Sequence, residues 1–214
     1  MSLEPPDSAP PSPSSAGAPR RPRADAARNR ATILAAARDA FADAGPEPSL
    51  EGIARAAGVG IGTLYRHFPT RQDLIVAVYS NELDAVLATV EPLLANHEPD
   101  VALREFMRNY AGFIATKRGM AQSLQAAGDR AAAPSINTRN RVNAAMGTIL
   151  AAGAERGVLR SDVPADDVTA GMIGIFLSTA SSADDEQIVR LLDLLVRGLR
   201  PSTTGGSAPS RPDW

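Results

Sequence analysis

Apolar residues recur along most of the chain at intervals of three and four, the period of an amphipathic helix. Ile33, Leu34, Ala37 and Phe41 stripe a helix predicted over 25–44, and Gly45-Pro46-Glu47-Pro48 ends it. Leu50, Ile53, Ala54 and Ala57 stripe a short second helix, which Ser49 can cap and Gly58 can terminate. A third short helix follows, with Leu64 and Phe68 inward at i and i+4. Phe41 is expected to pack on Ile53 and Phe68, closing a three-helix core. The stretch 70–95 carries Leu74, Val78, Leu83, Val86, Leu87, Val90 and Leu94. It opens on Thr70-Arg71-Gln72-Asp73, a capping box with aspartate in the acidic slot. At ~1.5 Å per residue it would be a lever about 38 Å long, with Pro92 bending its last turn.

Further helices are predicted over 99–118, with Gly119 breaking the first, and over 120–127, 135–156, 164–182 and 184–200. Loops are expected at 129–134 and 157–162, with a polar break at 181–185. No segment alternates with period two and no internal repeat is visible. The fold class is therefore all-α, with about nine helices. The first helices form a three-helix N-terminal domain over 25–71, and the rest a helical domain over 72–200. Residues 1–24 and 201–214 are rich in Pro, Ser, Ala and Gly and are expected to be disordered tails.

Two short helices joined by a tight glycine-containing turn make a helix-turn-helix, whose second helix lies in the DNA major groove. Thr63, Tyr65, Arg66 and His67 occupy the face away from Leu64 and Phe68, and such groups bond phosphates and base edges. Ile61 and Gly62 leave the helix start open, where free amides favour an anion. The same spacing also fits a small bundle whose polar face meets only water.

Charge sharpens the choice. The whole chain carries a net charge of −2, yet 20–71 holds nine arginines against five acidic residues, and 72–214 holds thirteen basic against seventeen acidic. A basic N-terminal portion on an acidic remainder suits a protein of which one end meets phosphate. Arg20-Arg21-Pro22-Arg23 reads either as an arm along DNA or as a solvated tail.

The run Gly58 to Leu74, with the helices before it, resembles the DNA-binding domain of the TetR family of transcriptional regulators (TetR/AcrR-like). Thr63-Leu64-Tyr65-Arg66-His67-Phe68 followed by Arg71 and Leu74 carries the match. The resemblance implies backbone contacts from Thr63, Tyr65, His67 and Arg71, with Ile61 and Gly62 near bases. The candidate DNA-binding set is Ser49, Gly60, Ile61, Gly62, Thr63, Tyr65, Arg66, His67 and Arg71. Gly60 stands where many relatives have serine and Arg71 where many have lysine, so a hydroxyl is missing and a cation changes shape.

The resemblance also implies a small apolar or amphiphilic effector held among the middle helices. Candidate ligand contacts are Phe106, Asn109, Tyr110, Phe113, Met120, Leu124, Gln125 and Phe176, which equally suit an ordinary core. The helix over 164–182 is apolar nearly all round, with Ala170, Gly171, Gly174, Ser178 and Ala180 permitting close approach. With Ile188, Leu191, Leu192, Leu195 and Leu199 of the last helix it fits a homodimer interface, as the family dimerises.

Composition trims the alternatives. Hydrophobic residues make up 44% of the chain and aromatics 4%, so the cores are mainly aliphatic. Cysteine is absent, which removes disulfides and thiol chemistry and suits a cytoplasmic protein. Two distant histidines offer no metal cluster, and no strand precedes a glycine-rich phosphate loop. No cofactor, metal or catalytic residue is expected, and no enzyme. The most apolar run, 168–183, is shorter than the ~20 residues that span a membrane. What the resemblance implies is a ligand-responsive regulator with double-stranded DNA as its partner, repression following from occlusion of a promoter. A DNA-free helical binding module is the rival reading.

Overall fold

The computed structural model describes the backbone over 21–42, 48–126, 136–179 and 185–201, and the side chains over 24–42, 48–114, 138–179 and 186–201. The predicted tails and the loop at 129–134 lie outside the described residues, apart from the ends of the tails at 21–24 and 201. All regular structure among the described residues is helical: α1 (Arg21–Ala42), α2 (Leu50–Ala56), α3 (Ile61–His67), α4 (Arg71–Leu87), α5 (Val90–Asn96), α6 (Pro99–Ala126), α7 (Ile136–Glu155), α8 (Ala165–Ser178) and α9 (Asp185–Gly198).

Two apolar cores organise these helices. The first gathers Ile33, Leu34, Ala37 and Phe41 of α1, Ile53 and Ala54 of α2, Leu64 of α3, Phe68, and Leu74, Ile75 and Val78 of α4. Phe41 does share that core with Ile53 and Phe68, and the core draws three residues from beyond Arg71. The second is built around α6, which packs against α1, α4, α5, α7, α8 and α9. Leu83 and Val86 of α4 belong to it. Tyr79 packs against both cores, so α4 runs through the two halves.

Local chemistry sets the ends of the short helices. The Ser49 hydroxyl accepts the Gly52 N–H at 3.0 Å. Gly58 has φ +68°, a left-handed exit that glycine adopts without a Cβ clash. The capping box on α4 is complete: Asp73 N–H donates to the Thr70 hydroxyl at 3.1 Å, and Thr70 N–H donates back to the Asp73 carboxylate at 3.0 Å.

Several boundaries differ from the sequence reading. α1 starts at Arg21, ahead of the predicted start at residue 25, so Arg21 to Arg23 are helical backbone. The single helix expected over 70–95 is two. Pro92 has no N–H to give Ala88, and its ring would crowd that carbonyl in a continuous helix. The chain instead turns at Ala88–Thr89, where the Thr89 amide and hydroxyl both donate to the Val86 carbonyl, at 3.1 and 2.7 Å. The lever is therefore the 17-residue α4, about 25 Å long. Gly119 does not break α6, which runs unbroken for 28 residues. One helical glycine costs only about 1 kcal/mol, too little by itself to end a helix.

Arginine–carboxylate pairs join the second half. Arg104 of α6 meets Asp193 of α9 at 2.7 Å, Arg139 of α7 meets Asp166 of α8 at 2.9 Å, and Arg141 of α7 meets Asp84 of α4.

Candidate nucleic-acid interface

The seven residues of α3 divide cleanly by face. Leu64 is fully buried and Phe68, at its C-terminal cap, is 2% exposed. These anchors turn Ile61, Gly62, Tyr65 and Arg66 outward, with Thr63 and His67 half-buried at the flank. Ile61 and Tyr65 are 37% and 44% exposed, two large side chains side by side on the outward face. The helix start is open. Gly60 holds the N-cap position without a side-chain bond, and a Cβ added at Gly60 or Gly62 would meet nothing within 4 Å. A flat ligand surface can thus approach the backbone there closely.

The cations are less uniform than the sequence implies. Arg66 is exposed, and its Nε donates to the Gly62 carbonyl at 3.2 Å, laying the side chain along α3. Arg30 of α1 sits 4.8 Å over the Phe68 ring. Arg71 is half-buried and faces its own domain: Nη1 donates to the Pro48 carbonyl at 2.8 Å, and the guanidinium lies 5.7 Å over Phe41. Ser49 is exposed at the start of α2, its oxygen already engaged as a cap. The fold therefore collects Gly60, Ile61, Gly62, Tyr65 and Arg66 on one outward face, sets Thr63 and His67 beside it, and leaves Ser49 and Arg71 on neighbouring elements with structural duties.

In the second half, Phe106, Tyr110, Phe113 and Phe176 come together as buried side chains. Tyr110 lies 5.4 Å from Phe113 and 5.8 Å from Phe176 between ring centroids. Burial pushes the Tyr110 phenol up to about 12, and the nearby Tyr79 adds to it. Asn109 does not join them; it is exposed, and its amide donates to the Thr89 hydroxyl at 3.5 Å, because one step along α6 from Tyr110 turns it by ~100°. The side chains of Met120, Leu124 and Gln125 lie outside the described residues.

Sequence reasoning missed Tyr79 and Thr138. The Tyr79 ring packs 5.2 Å from Phe113, and its hydroxyl donates to the buried Thr138 hydroxyl on α7 at 3.4 Å. The available signal was an aromatic between the Val78 and Leu83 positions of the α4 stripe.

α8 buries Val168, Thr169, Met172 and Phe176 and leaves Ala170, Gly171, Gly174, Leu177 and Ser178 exposed. Leu177 is 72% exposed, and Leu194 on α9 is 67% exposed. Among the described residues, no group of three His, Cys, Asp or Glu could hold a metal, and no helix is long and apolar enough to cross a membrane.

Comparison with known proteins meets this geometry at both ends. Residues 33–78 match the model for bacterial regulatory proteins of the tetR family, and 98–201 match the SbtR-like transcriptional regulator C-terminal domain. A TetR transcriptional regulator of Streptomyces coelicolor is 40% identical, with 81% of this chain and 99% of that one covered at TM-score 0.70. A TetR regulatory protein of Mycobacterium vanbaalenii is 36% identical over 84% and 99% of the two chains, at TM-score 0.67. A gamma-butyrolactone receptor, 21% identical, shares the fold over 84% of this chain and 92% of its own at TM-score 0.56. Matches to curated HTH-type transcriptional regulators of Staphylococcus aureus span 42–60% of their length. A short helix held out by two buried anchors, a tetR-type head and a matching C-terminal half together make this chain a member of the TetR family of transcriptional regulators.

Proposed function

We propose that the chain is a ligand-responsive repressor that binds an inverted-repeat operator as a homodimer. The observation that carries this is the outward face of α3, with Ile61 and Tyr65 exposed while Leu64 and Phe68 anchor the helix. Two copies would set their α3 helices in successive major grooves, ~34–36 Å apart. Ile61 and Gly62 would lie near bases, and Thr63, Tyr65, Arg66 and His67 would meet the sugar-phosphate backbone. The exposed small-residue stripe of α8, with Leu177 and Leu194, supports an isologous four-helix contact between copies.

The effector would be a small apolar or amphiphilic molecule that reorders the aromatic group around Tyr110. Tyr110 is 5% exposed and its phenol stays protonated, so it would offer a neutral hydrogen-bond donor within an apolar wall. Movement there would reach α4 and alter the separation of the reading helices. A coupling of ~1–3 kcal/mol corresponds to about 5–150-fold in operator affinity. Promoter occlusion in the cytoplasm would make the bound state repressive.

The test is a gel shift on the DNA upstream of the protein's own gene, against a scrambled duplex, at rising salt. The upstream duplex should stay bound where the scrambled one is lost. Equal loss of both would reject an operator there, and absence of any shift at low salt would favour a DNA-free binding module.

A further inference from the structure

We infer that Arg71 is a positioning residue, a clamp that fixes the reading head to its scaffold, and not a phosphate ligand. The inference rests on the DNA binding of the family and departs from the contact that the resemblance implies for this position. Arg71 occupies the first residue of α4, immediately after the Thr70 cap. The closed capping box fixes the backbone from which the side chain springs. From there the planar guanidinium combines two contacts among the described residues. It donates to the Pro48 carbonyl at 2.8 Å, one residue before the Ser49 cap of α2, and it lies over Phe41 at the end of α1. One group thus touches the ends of α1, α2 and α4.

The α2–α3 pair hangs between those ends. A guanidinium can donate in its plane while stacking on an aromatic ring with its face; an ammonium is a point charge without a plane. To reach a phosphate, Arg71 would have to surrender the Pro48 carbonyl and uncover Phe41, which is 1% exposed. Arg30 over Phe68 ties α1 to the end of α3 by the same kind of contact. Arg71 therefore acts on DNA through the pose of α3.

The test uses the full chain and a random-sequence duplex of ~30 base pairs, with binding followed by anisotropy between ~50 and ~200 mM salt, well below the unfolding temperature of each variant. A lost phosphate contact lowers the slope of log K against log salt by about 0.9. For Arg71→Gln the clamp predicts binding weakened about three- to tenfold with the wild-type slope. A slope reduced by about 0.9 overturns it. Arg71→Lys, which keeps the charge, should also bind more weakly at unchanged slope, and wild-type affinity for it overturns the clamp. It also serves should the glutamine variant fail to fold. In a Phe41→Leu background, Arg71→Gln should cost less affinity than in the wild type, because the stack is already gone; full additivity overturns action through Phe41. Unchanged affinity per folded molecule in both Arg71 variants would leave only a fold-stabilising role and likewise overturn it. If the wild-type chain binds no duplex at any salt, the DNA reading itself fails and the clamp with it, a result distinct from every variant outcome above.

Discussion

Gly174→Leu separates the protomer from the dimer by giving each an effect of opposite sign. Gly174 lies in the middle of α8, is exposed, and a Cβ built there meets nothing within 4 Å in the single chain. The protomer has room for the new side chain. Replacing a mid-helix glycine by a good helix former favours the helix by about 0.8–1 kcal/mol, so the isolated fold should become slightly more stable. In an isologous contact through α8 and α9, the same side chain would enter the interface twice. Overpacking costs about 1–3 kcal/mol per site, hence ~2–6 kcal/mol for the pair. That raises the dimer dissociation constant about 30- to 20,000-fold. Sedimentation equilibrium over a concentration series reads the dissociation constant, and helical circular dichroism confirms that the head stays folded. A dimer of unaltered affinity would remove this face from the interface. A variant that loses its helices would refute the claim of open space above Gly174.

Three further expectations rest on single residues. Phe41→Ala should destabilise the first core by about 3–5 kcal/mol, seen in chemical unfolding as early loss of the head; a change below 1 kcal/mol would place the ring outside the core that holds α3. Tyr110 has its phenol raised from its ordinary 10 to about 12 in the folded chain, so the stability it contributes is complete below pH 10 and is lost as pH rises through 12. The loss is about 2–3 kcal/mol; Tyr110→Phe should not show it, and parallel alkaline unfolding of both proteins would refute the burial argument. Arg66→Ala should weaken binding to any duplex and lower the salt slope by about 0.9, whereas an unchanged slope would take Arg66 off the phosphates.

The parts legible from sequence were those governed by chemistry within a few residues. The Ser49 cap, the Gly58 exit, the Thr70–Asp73 box and the inward Leu64 and Phe68 all depend on spacing along one turn. Most of what escaped depends on contacts distant in the chain. The break before Pro92 is the exception, since the turn that Thr89 forms with Val86 is local. Tyr79 falls between the Val78 and Leu83 positions of the α4 stripe, and a partner of its hydroxyl, Thr138, lies 59 residues on. The resemblance places Arg71 on the DNA backbone, and sequence does not show that Pro48 and Phe41 come to it from other elements.

The seam between the two halves lies inside α4. Leu74, Ile75 and Val78 complete one core, Leu83 and Val86 open the other, and Tyr79 is shared. A hybrid regulator that borrows its operator specificity from one relative and its effector response from another inherits that seam. A crossover at Arg71 would strip the grafted head of three aliphatic side chains, whereas one at the exposed Ser80–Asn81 step leaves each half its own set.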